Sequence, residues 1–270
     1  MSAAAAPTPY RRARHLVRTR FSESPTFYLP FARRKYPGPS PEVIGPDTEL
    51  VIDGYTRSAS TFAVYALQLA QDRPVRLAHH LHAPAQLVRA ARTGVPALLL
   101  IREPRGAILS QLVREPDVAM RDALVAYSRF HARLLPHLHD VVVGEFQQVT
   151  TEFGVVIDRL NARFGLGLRR FEHTPESTDR CLELIAHRPS LSPVLLGFES
   201  GLVDHAQLRR ELATPGATTR TAQATGDTWI PSAERDARKE SLREQWQATG
   251  LARLRERAER LYEQFAATAA

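Results

Sequence analysis

The sequence predicts an α/β fold in which a central parallel sheet is the middle of three layers and helices cover both of its faces. Segments typical of strands and helices alternate over residues 49–165, which is the pattern of strand–helix–strand units in a parallel sheet. Residues 95–101 form a continuous apolar run, as in a strand buried on both faces. A turn of small residues follows the first strand, at the sheet edge where such folds bind ligands.

The individual elements have their own signals. Residues 60–71 predict a helix because Phe62, Tyr65 and Leu69 fall on one side of it, and Gly94 ends the next helix. Strands are expected at 49–53, 75–78, 97–101 and 140–143. The other helices of this region are expected at 85–92, 106–114, 117–138 and 151–164.

The remaining segments are less regular. Residues 172–201 predict short helices and loops, 213–231 are polar, and 232–266 predict a charged helix broken near Gly250. A chain of 270 residues suits one large domain. We therefore expect a single domain over 48–270, with a ligand-binding core at 48–166 and a variable helical part at 167–270.

The first 47 residues predict a separate, irregular arm that wraps onto the domain, because they are rich in proline and have no sustained period. Eight of the 36 basic residues lie in 1–36, where Glu23 is the only acid, so the rest of the chain holds 28 basic and 28 acidic residues. A basic arm can contact an anionic membrane surface or nucleic acid, although a solvated leader is the alternative. Because the body is formally neutral, we expect no nucleic-acid partner.

Composition also indicates the cellular compartment in which the protein is expected. Cys181 is the only cysteine, which excludes an internal disulfide framework and a cysteine-based zinc cluster and favours a reducing compartment. The longest apolar run has seven residues, against roughly 20 for a membrane-spanning helix. These features predict a cytoplasmic protein, and they leave its oligomeric state open.

The most informative segment reads Val-Ile-Asp-Gly-Tyr-Thr-Arg-Ser-Ala-Ser-Thr over residues 51–61. A strand that runs into a small-residue turn and a helix start directs backbone N–H groups and the positive end of the helix dipole at one point, which is an anion site. Against the nucleotide-binding pattern G-x-x-x-x-G-K-[ST], Gly54 and Thr61 fit, but Ala59 replaces the second glycine and Ser60 replaces the lysine. The nearby cation is Arg57, within the loop.

A second motif lies on the strand at 97–101, which delivers Arg102 at its carboxyl end, and Ser110 follows eight residues later on the next helix. Both side chains are expected at the same sheet edge as the loop. An arginine fork with a hydroxyl binds a terminal phosphate well, although a strand-end arginine often pairs with a structural carboxylate instead.

Together these motifs resemble the sulfotransferase family, which uses 3′-phosphoadenosine 5′-phosphosulfate as its sulfuryl donor and needs no metal. Residues 55–62 are similar to that family's loop Tyr-Pro-Lys-Ser-Gly-Thr-Thr-Trp, and Arg102 with Ser110 matches its 3′-phosphate motif. Residues 142–149, followed by a helix that ends in Phe-Gly-Leu at 164–166, resemble the family's Tyr-Glu-Asp-Leu segment and Phe-Leu-Gly-Leu. The resemblance covers about 49–166 and implies a phosphosulfate-binding turn on a P-loop-like fold.

The resemblance also implies roles for individual residues. The 5′-phosphate would be held by the loop at Ser58, Ala59, Ser60 and Thr61, with Arg57 at the position of the family lysine that contacts the leaving oxygen. Arg102 and Ser110 would hold the 3′-phosphate. The aromatic positions near adenine would be Phe62 and Phe146.

Three departures from the family pattern matter. Arginine at position 57 keeps the charge of the family lysine but changes its reach. Alanine at position 59 is tolerable only with a negative φ. Arg220, followed by Gly226-Asp-Thr-Trp229, resembles a C-terminal 3′-phosphate segment of the family at altered spacing, so it is a further candidate.

The general base is expected among three clustered histidines, His79, His80 and His82. Alignment with the family's Lys-Thr-His-Leu-Pro segment places His82 at the catalytic histidine and His80 at the lysine. The alternatives are a metal site, which lacks a further ligand at recognisable spacing, or polar loop residues. A carboxylate, Glu103 or Asp53, is the other candidate base.

These observations predict a sulfotransferase that transfers a sulfuryl group to a hydroxyl or amine of a small-molecule, lipid or glycoside acceptor, whose pocket is expected at about 170–231. Two rivals are a phosphoryl-transferring nucleotide kinase, which predicts ATP and magnesium dependence, and a non-catalytic nucleotide- or nucleic-acid-binding protein.

Overall fold

Four short parallel strands form the centre of the computed structural model, which describes residues 8–188, 192–213 and 233–269. They pair in the order β2-β1-β3-β4, and all three pairings are parallel. The α/β class with a parallel central sheet is therefore confirmed. The strands are β1 (Leu50–Gly54), β2 (Leu77–His79), β3 (Ala97–Ile101) and β4 (Val142–Glu145).

Helices surround the sheet, and most begin and end within a few residues of the predicted positions. Those of the amino-terminal and central parts are α1 (Pro9–Phe21), α2 (Pro25–Lys35), α3 (Ser60–Ala70), α4 (Pro84–Thr93), α5 (Pro104–Arg114), α6 (Met120–Leu134), α7 (Phe146–Thr151) and α8 (Phe153–Phe164). The carboxyl-terminal ones are α9 (Pro175–His187), α10 (Pro193–Glu199), α11 (His205–Ala213), α12 (Ala233–Gln247) and α13 (Ala252–Ala266). The predicted break near Gly250 lies between α12 and α13, and the predicted helix over 117–138 ends instead in a 3₁₀ turn from Leu135 to Asp140.

Strand β3 explains why the sheet needs cover on both faces. Leu98 and Leu100 belong to one buried cluster, and Leu99 and Ile101 belong to the other. Because successive side chains of a strand point to opposite faces, the apolar run places two leucines or isoleucines in each core. Both faces of this strand are therefore packed, as the run predicts.

The amino-terminal arm differs from the prediction. Instead of an irregular segment, it forms helices α1 and α2, and the first residue of each is a proline. Proline is well tolerated at the first helical position because that residue's N–H has no partner within the helix. Pro9 and Pro25 therefore start helices, whereas residues 37–47, with four further prolines, contain no helix, as predicted.

Ion pairs hold the arm against the domain. Arg12 on α1 makes two hydrogen bonds to Asp122 of α6, at 2.9 and 3.1 Å, and Asp122 is 3% exposed. Arg129 of α6 binds the Glu23 carboxylate, just after α1, at 2.6 and 2.8 Å. The two pairs run in opposite senses: a cation of the arm meets an acid of the body at Asp122, and the acid Glu23 of the arm meets a cation of the body at Arg129.

Helix length also bears on membranes. Over the ranges 8–188, 192–213 and 233–269, none of the helices combines the length and apolar character needed to cross a bilayer.

Candidate functional site

A cavity of about 450 Å³ opens at the carboxyl ends of β1 and β3 and contains most of the predicted site residues. Two predicted residues do not line this cavity: Ser58 is fully buried, and the His80 side chain is 6% exposed. The predicted residues that line the cavity are Arg57, Ala59, Ser60, Thr61, Phe62, His82, Arg102, Ser110 and Phe146. Residues from the loops and helices that follow the four strands, predicted from separate motifs, thus face one space.

The loop after β1 has an unusual backbone. Arg57 has φ of 71° and Ala59 has φ of 67°, so the expectation of a negative φ at Ala59 is wrong. A side chain in this left-handed region costs roughly 1–2 kcal/mol. His80 and His82 also have positive φ, and these four are the non-glycine residues with that conformation in the described part of the chain. Such strain concentrates at functional sites.

The loop leads into the amino terminus of α3, where Ser60 is the first helical residue. Ser58 Oγ and Ser60 Oγ are buried and have no hydrogen-bond partner among the described residues. A buried hydroxyl without a partner is costly, so a ligand with acceptor oxygens in the cavity would relieve Ser60, which lines it. The first turn of α3 also contains no acidic residue, which leaves the positive end of its dipole uncompensated.

The two predicted phosphate motifs are in direct contact. Arg57 Nε donates to Ser110 Oγ at 2.9 Å, and Arg102 Nη1 donates to the Arg57 carbonyl at 3.2 Å. Burial lowers the pKa of Arg102, as expected when a guanidinium loses water. Besides the carbonyl, it contacts the Phe146 ring, whose centroid lies 3.9 Å from the guanidinium carbon, and its charge also interacts with Glu103 and Glu145. A bound anion would add to these interactions.

The aromatic candidates occupy two sides of the cavity. Phe146 begins α7 and is covered by Arg102. Phe62 lies on α3, with His173 stacked on it at 5.8 Å between ring centroids. Both rings could contact a planar base.

His82 is held by the end of β1. Its Nδ1 lies 3.0 Å from the Gly54 carbonyl oxygen, which accepts a hydrogen bond and so fixes the ring proton on Nδ1 in the neutral form. The lone pair is then on Nε2. Burial lowers the pKa of His82 to about 4, although 28% of the side chain is exposed.

The carboxylates named as alternative bases have structural partners. Asp53 is fully buried, and it accepts hydrogen bonds from the backbone of Gly54 and His82 and from Gln86. Burial raises its pKa to about 7. Glu103 caps α5 by accepting from the Gly106 N–H. Neither lines the cavity.

His79 and His80 form a buried network rather than a free pair. Their Nδ1 atoms are 2.6 Å apart, His80 Nε2 is 3.1 Å from Thr61 Oγ1, and Glu199 Oε2 is 3.8 Å from His80 Nδ1. Two ring nitrogens this close share a proton, and Glu199 is already bound by Arg188 at 2.6 Å. The arrangement suits positioning of Thr61 better than metal ligation, for which both nitrogens would need free lone pairs.

A second cavity, of about 100 Å³, lies on the other side of His82. Thr56 and His82 line both cavities. The arm contributes His15, Arg18, Thr19 and Tyr28 to its wall. Among the described residues the arm therefore forms much of the wall of this second cavity, whereas Thr178, Leu182 and Ile185, within the range 170–231 where the acceptor pocket is expected, line the first cavity.

Two charged residues of the site were missed in the sequence. Lys239 of α12 lines the first cavity, of about 450 Å³, and forms an ion pair with Asp236 at 2.7 Å. As one of only two lysines among 36 basic residues, it offered a weak signal. Glu199 offered none, because its buried position comes from tertiary packing. Arg220 and the segment at 226–229 lie outside the described residues.

Comparison of the chain with models of known families, with curated proteins and with solved structures finds no match. Any statement about activity therefore depends on the motifs and on the geometry of the two cavities.

Proposed function

We propose that this protein is a sulfotransferase that uses 3′-phosphoadenosine 5′-phosphosulfate and transfers its sulfuryl group to a hydroxyl or amine. The observation that carries the proposal is the convergence of Arg57, Ser60, Arg102 and Ser110 with His82 on one cavity. Two anion-binding motifs, separated by about 45 residues of sequence, then serve opposite ends of one doubly phosphorylated ligand.

The chain's own groups suit this ligand. Ser60 Oγ is buried without a described partner, lines the cavity and lies at the amino terminus of a helix, where phosphate binds favourably. Arg102 and Ser110 would hold the second phosphate, and recognition of that group separates the proposed donor from ATP. When bound, the donor supplies the sulfuryl group and leaves as the desulfated nucleotide.

In this proposal His82 removes the proton of the acceptor. Its Nδ1 proton is directed at the Gly54 carbonyl, so Nε2 is available to accept. A pKa of about 4 keeps the imidazole neutral at pH 7. Arg57 and the loop N–H groups stabilise the charge that develops on the leaving oxygen, and such preorganised donors are often the largest catalytic contribution.

The acceptor would occupy the smaller cavity. Because His82 lines both spaces, a group bound against α1 can meet the donor at the imidazole. Tyr28, Tyr55 and Phe130 give this cavity an aromatic wall, and its charged lining combines Arg18 with Glu23 and Glu115. A small acceptor with a ring and a hydroxyl or amine fits that lining best.

The two alternative functions, a nucleotide kinase and a non-catalytic binding protein, require different groups in the site. A nucleotide kinase needs magnesium and a lysine on the phosphates, and residues 55–61 contain no lysine. A non-catalytic binder needs no base beside the anion site, yet His82 lies there in the tautomer that can accept a proton.

Isothermal calorimetry tests the proposal with three ligands: 3′-phosphoadenosine 5′-phosphate, ATP with magnesium, and duplex DNA. We expect binding of the first without magnesium, and turnover when the sulfated donor is offered with a panel of phenols, alcohols, amines and sugars. Preferential binding of ATP with magnesium would support the kinase. Salt-sensitive binding of DNA alone would indicate a nucleic-acid-binding protein. Nucleotide binding with no turnover on any acceptor would indicate a non-catalytic nucleotide-binding protein.

A further inference from the structure

The outer face of the arm concentrates exposed apolar side chains. Of the eight large apolar residues that are exposed in the described part of the chain, six belong to α1 and α2. Val17 and Phe27 are the clearest, at 67% and 68% exposed. The six are Tyr10, Leu16, Val17, Phe21, Phe27 and Phe31.

These residues form one surface across two helices. Leu16, Val17, Phe21 and Phe27 line a common groove, and the Phe21 and Phe31 rings meet edge to face at 5.4 Å. An exposed cluster of this kind marks an interaction site more often than scattered single residues do.

Helix geometry separates this surface from the anchored side of the arm. On α1, Arg12 faces Asp122 and His15 and Thr19 face the smaller cavity, whereas Tyr10, Val17 and Phe21 follow the spacing of the opposite side. The arm is therefore fixed to the domain by one face, and its apolar face is directed outward.

Cations border the apolar surface. Arg14, Arg20, Arg34 and Lys35 are all exposed, and Lys35 Nζ lies 5.8 Å from the centroid of the Phe31 ring. An apolar strip flanked by basic residues is the composition that places a helix in the interface of an anionic bilayer. The cations could bind the phosphates of a nucleic acid, but the apolar residues at the centre of the surface would have no partner there.

We propose that the outer face of α1 and α2 docks onto an anionic lipid bilayer, with Val17 and Phe27 inserted among the headgroups and the arginines bound to lipid phosphates. The observations behind this surface are independent of the proposed sulfotransfer, so either can fail without the other. The docking would bring the smaller cavity, which lies on the inner side of α1, close to the membrane.

Vesicle co-sedimentation of the full chain tests the docking. We expect binding to vesicles in which about a third of the phosphatidylcholine is replaced by phosphatidylglycerol, little binding to phosphatidylcholine alone, and weakening with salt. The double variant Val17→Gln/Phe27→Gln should bind these vesicles at least about tenfold more weakly. The matched control Val155→Gln/Leu202→Gln removes two other exposed apolar side chains and should bind as the unmodified chain does.

Charge is tested in the same way. Arg14→Gln/Arg20→Gln should weaken binding by about fivefold per arginine, whereas Arg89→Gln/Arg92→Gln, at two exposed positions of α4, should have a smaller effect. Equal loss in arm and control variants, or equal binding to both kinds of vesicle, would overturn the proposal. So would light scattering that shows a dimer which Val17→Gln/Phe27→Gln converts to a monomer, because the face would then bind a second copy. Circular dichroism of each variant checks that the fold is retained.

Discussion

Asp53 holds His82 through the backbone as well as the ring. Its carboxylate accepts the His82 N–H at 3.1 and 3.2 Å and lies 3.5 Å from the imidazole Nδ1. The residue at the end of β1 thereby fixes the loop that follows β2, across two neighbouring strands. The position of the proposed base is set by the sheet and not by a mobile loop.

His82→Ala tests the role of that imidazole. If His82 takes the acceptor proton, kcat should fall by about 10²–10⁴, while the affinity for 3′-phosphoadenosine 5′-phosphate changes little. Steady-state kinetics and calorimetry on the same preparation separate the two effects. His139→Ala, at an exposed position, is the control and should keep full turnover. Unchanged kcat in His82→Ala would remove His82 from the mechanism.

Arg102→Ala tests the second anion site. Loss of a buried guanidinium that faces a phosphate should weaken nucleotide binding by roughly 10- to 100-fold, in line with the 1.5–3 kcal/mol of a charged hydrogen bond. Ser110→Ala should weaken it by a smaller factor. Calorimetry with nucleotides that carry or lack the 3′-phosphate gives the readout, because both variants should lose the preference between them.

Arg105→Ala is the matched control, since Arg105 is an exposed arginine on the same helix as Ser110. Equal weakening by Arg105→Ala would indicate a general charge effect and would contradict a specific site at Arg102.

Ala59→Gly tests the strain in the loop. Because Ala59 has φ of 67°, glycine removes the steric penalty of the left-handed region, and part of that gain is offset by the greater freedom of the unfolded chain. We expect a gain of up to about 1 kcal/mol in the free energy of unfolding, measured by urea titration. Ala83→Gly, at φ of −128°, should not stabilise. A loss of stability in Ala59→Gly would mean that the strain is relieved elsewhere.

Asp122→Asn tests the anchoring of the arm. Asp122 is 3% exposed and accepts two hydrogen bonds from Arg12, whose own side chain is 45% exposed, so the variant replaces a charge-assisted pair with a neutral one and weakens the contact between α1 and α6. Tryptic cleavage within α1 should become at least several-fold faster. Asp117→Asn is the control: Asp117 pairs with Arg11, and their side chains are 62% and 53% exposed, where ion pairs contribute little. Equal cleavage rates in the two variants would show that Asp122 does not hold the arm.

The positions of β1 to β4 and their parallel pairing followed from the sequence because local signals were strong, whereas the strand order came only from the structure. The apolar run at 95–101 and the helix signals around it each fixed one element, and the alternation fixed the parallel sheet. The motif residues then had to meet, since parallel strands place their carboxyl ends at one edge. That is why Arg57, Arg102 and Ser110 could be named together.

Other features depend on tertiary packing that no local pattern contains. Pro9 and Pro25 are each compatible with a break or with a helix start. For α1, the cap at Thr8, whose hydroxyl accepts the Arg11 N–H, and the contact of Arg12 with Asp122 both favour the second. Positive φ at Ala59 contradicts the preference of alanine, and the fold imposes it. The burial of Glu199 beside His80 comes from α10, whose sequence contains no sign of that neighbour.

The buried histidines predict how stability depends on pH. Burial lowers the pKa of His79, His82 and His131 to about 4, from about 6.5 in an unfolded chain. Between these values the unfolded chain binds more protons, so stability is present above pH 6.5 and is lost as pH falls toward 4. Asp53 acts in the opposite sense, because its pKa is raised to about 7 and its contribution is lost as pH rises from about 4 to 7. Three histidines outweigh one aspartate, so acid should destabilise the protein over this range.

His131→Leu isolates one of these contributions at a distance from the proposed site. His131 is fully buried on α6, its ring 4.2 Å from that of Tyr127 and 5.5 Å from that of Phe265 between centroids. Without it, the difference between the free energies of unfolding at pH 7 and pH 5 should shrink by about 2 kcal/mol, whatever the variant's stability at pH 7. His139→Leu, at the exposed position, should leave that difference unchanged. An undiminished difference in His131→Leu would mean that the native protein takes up a proton at His131 as readily as the unfolded chain does, and that burial of this ring is not what makes the fold sensitive to acid.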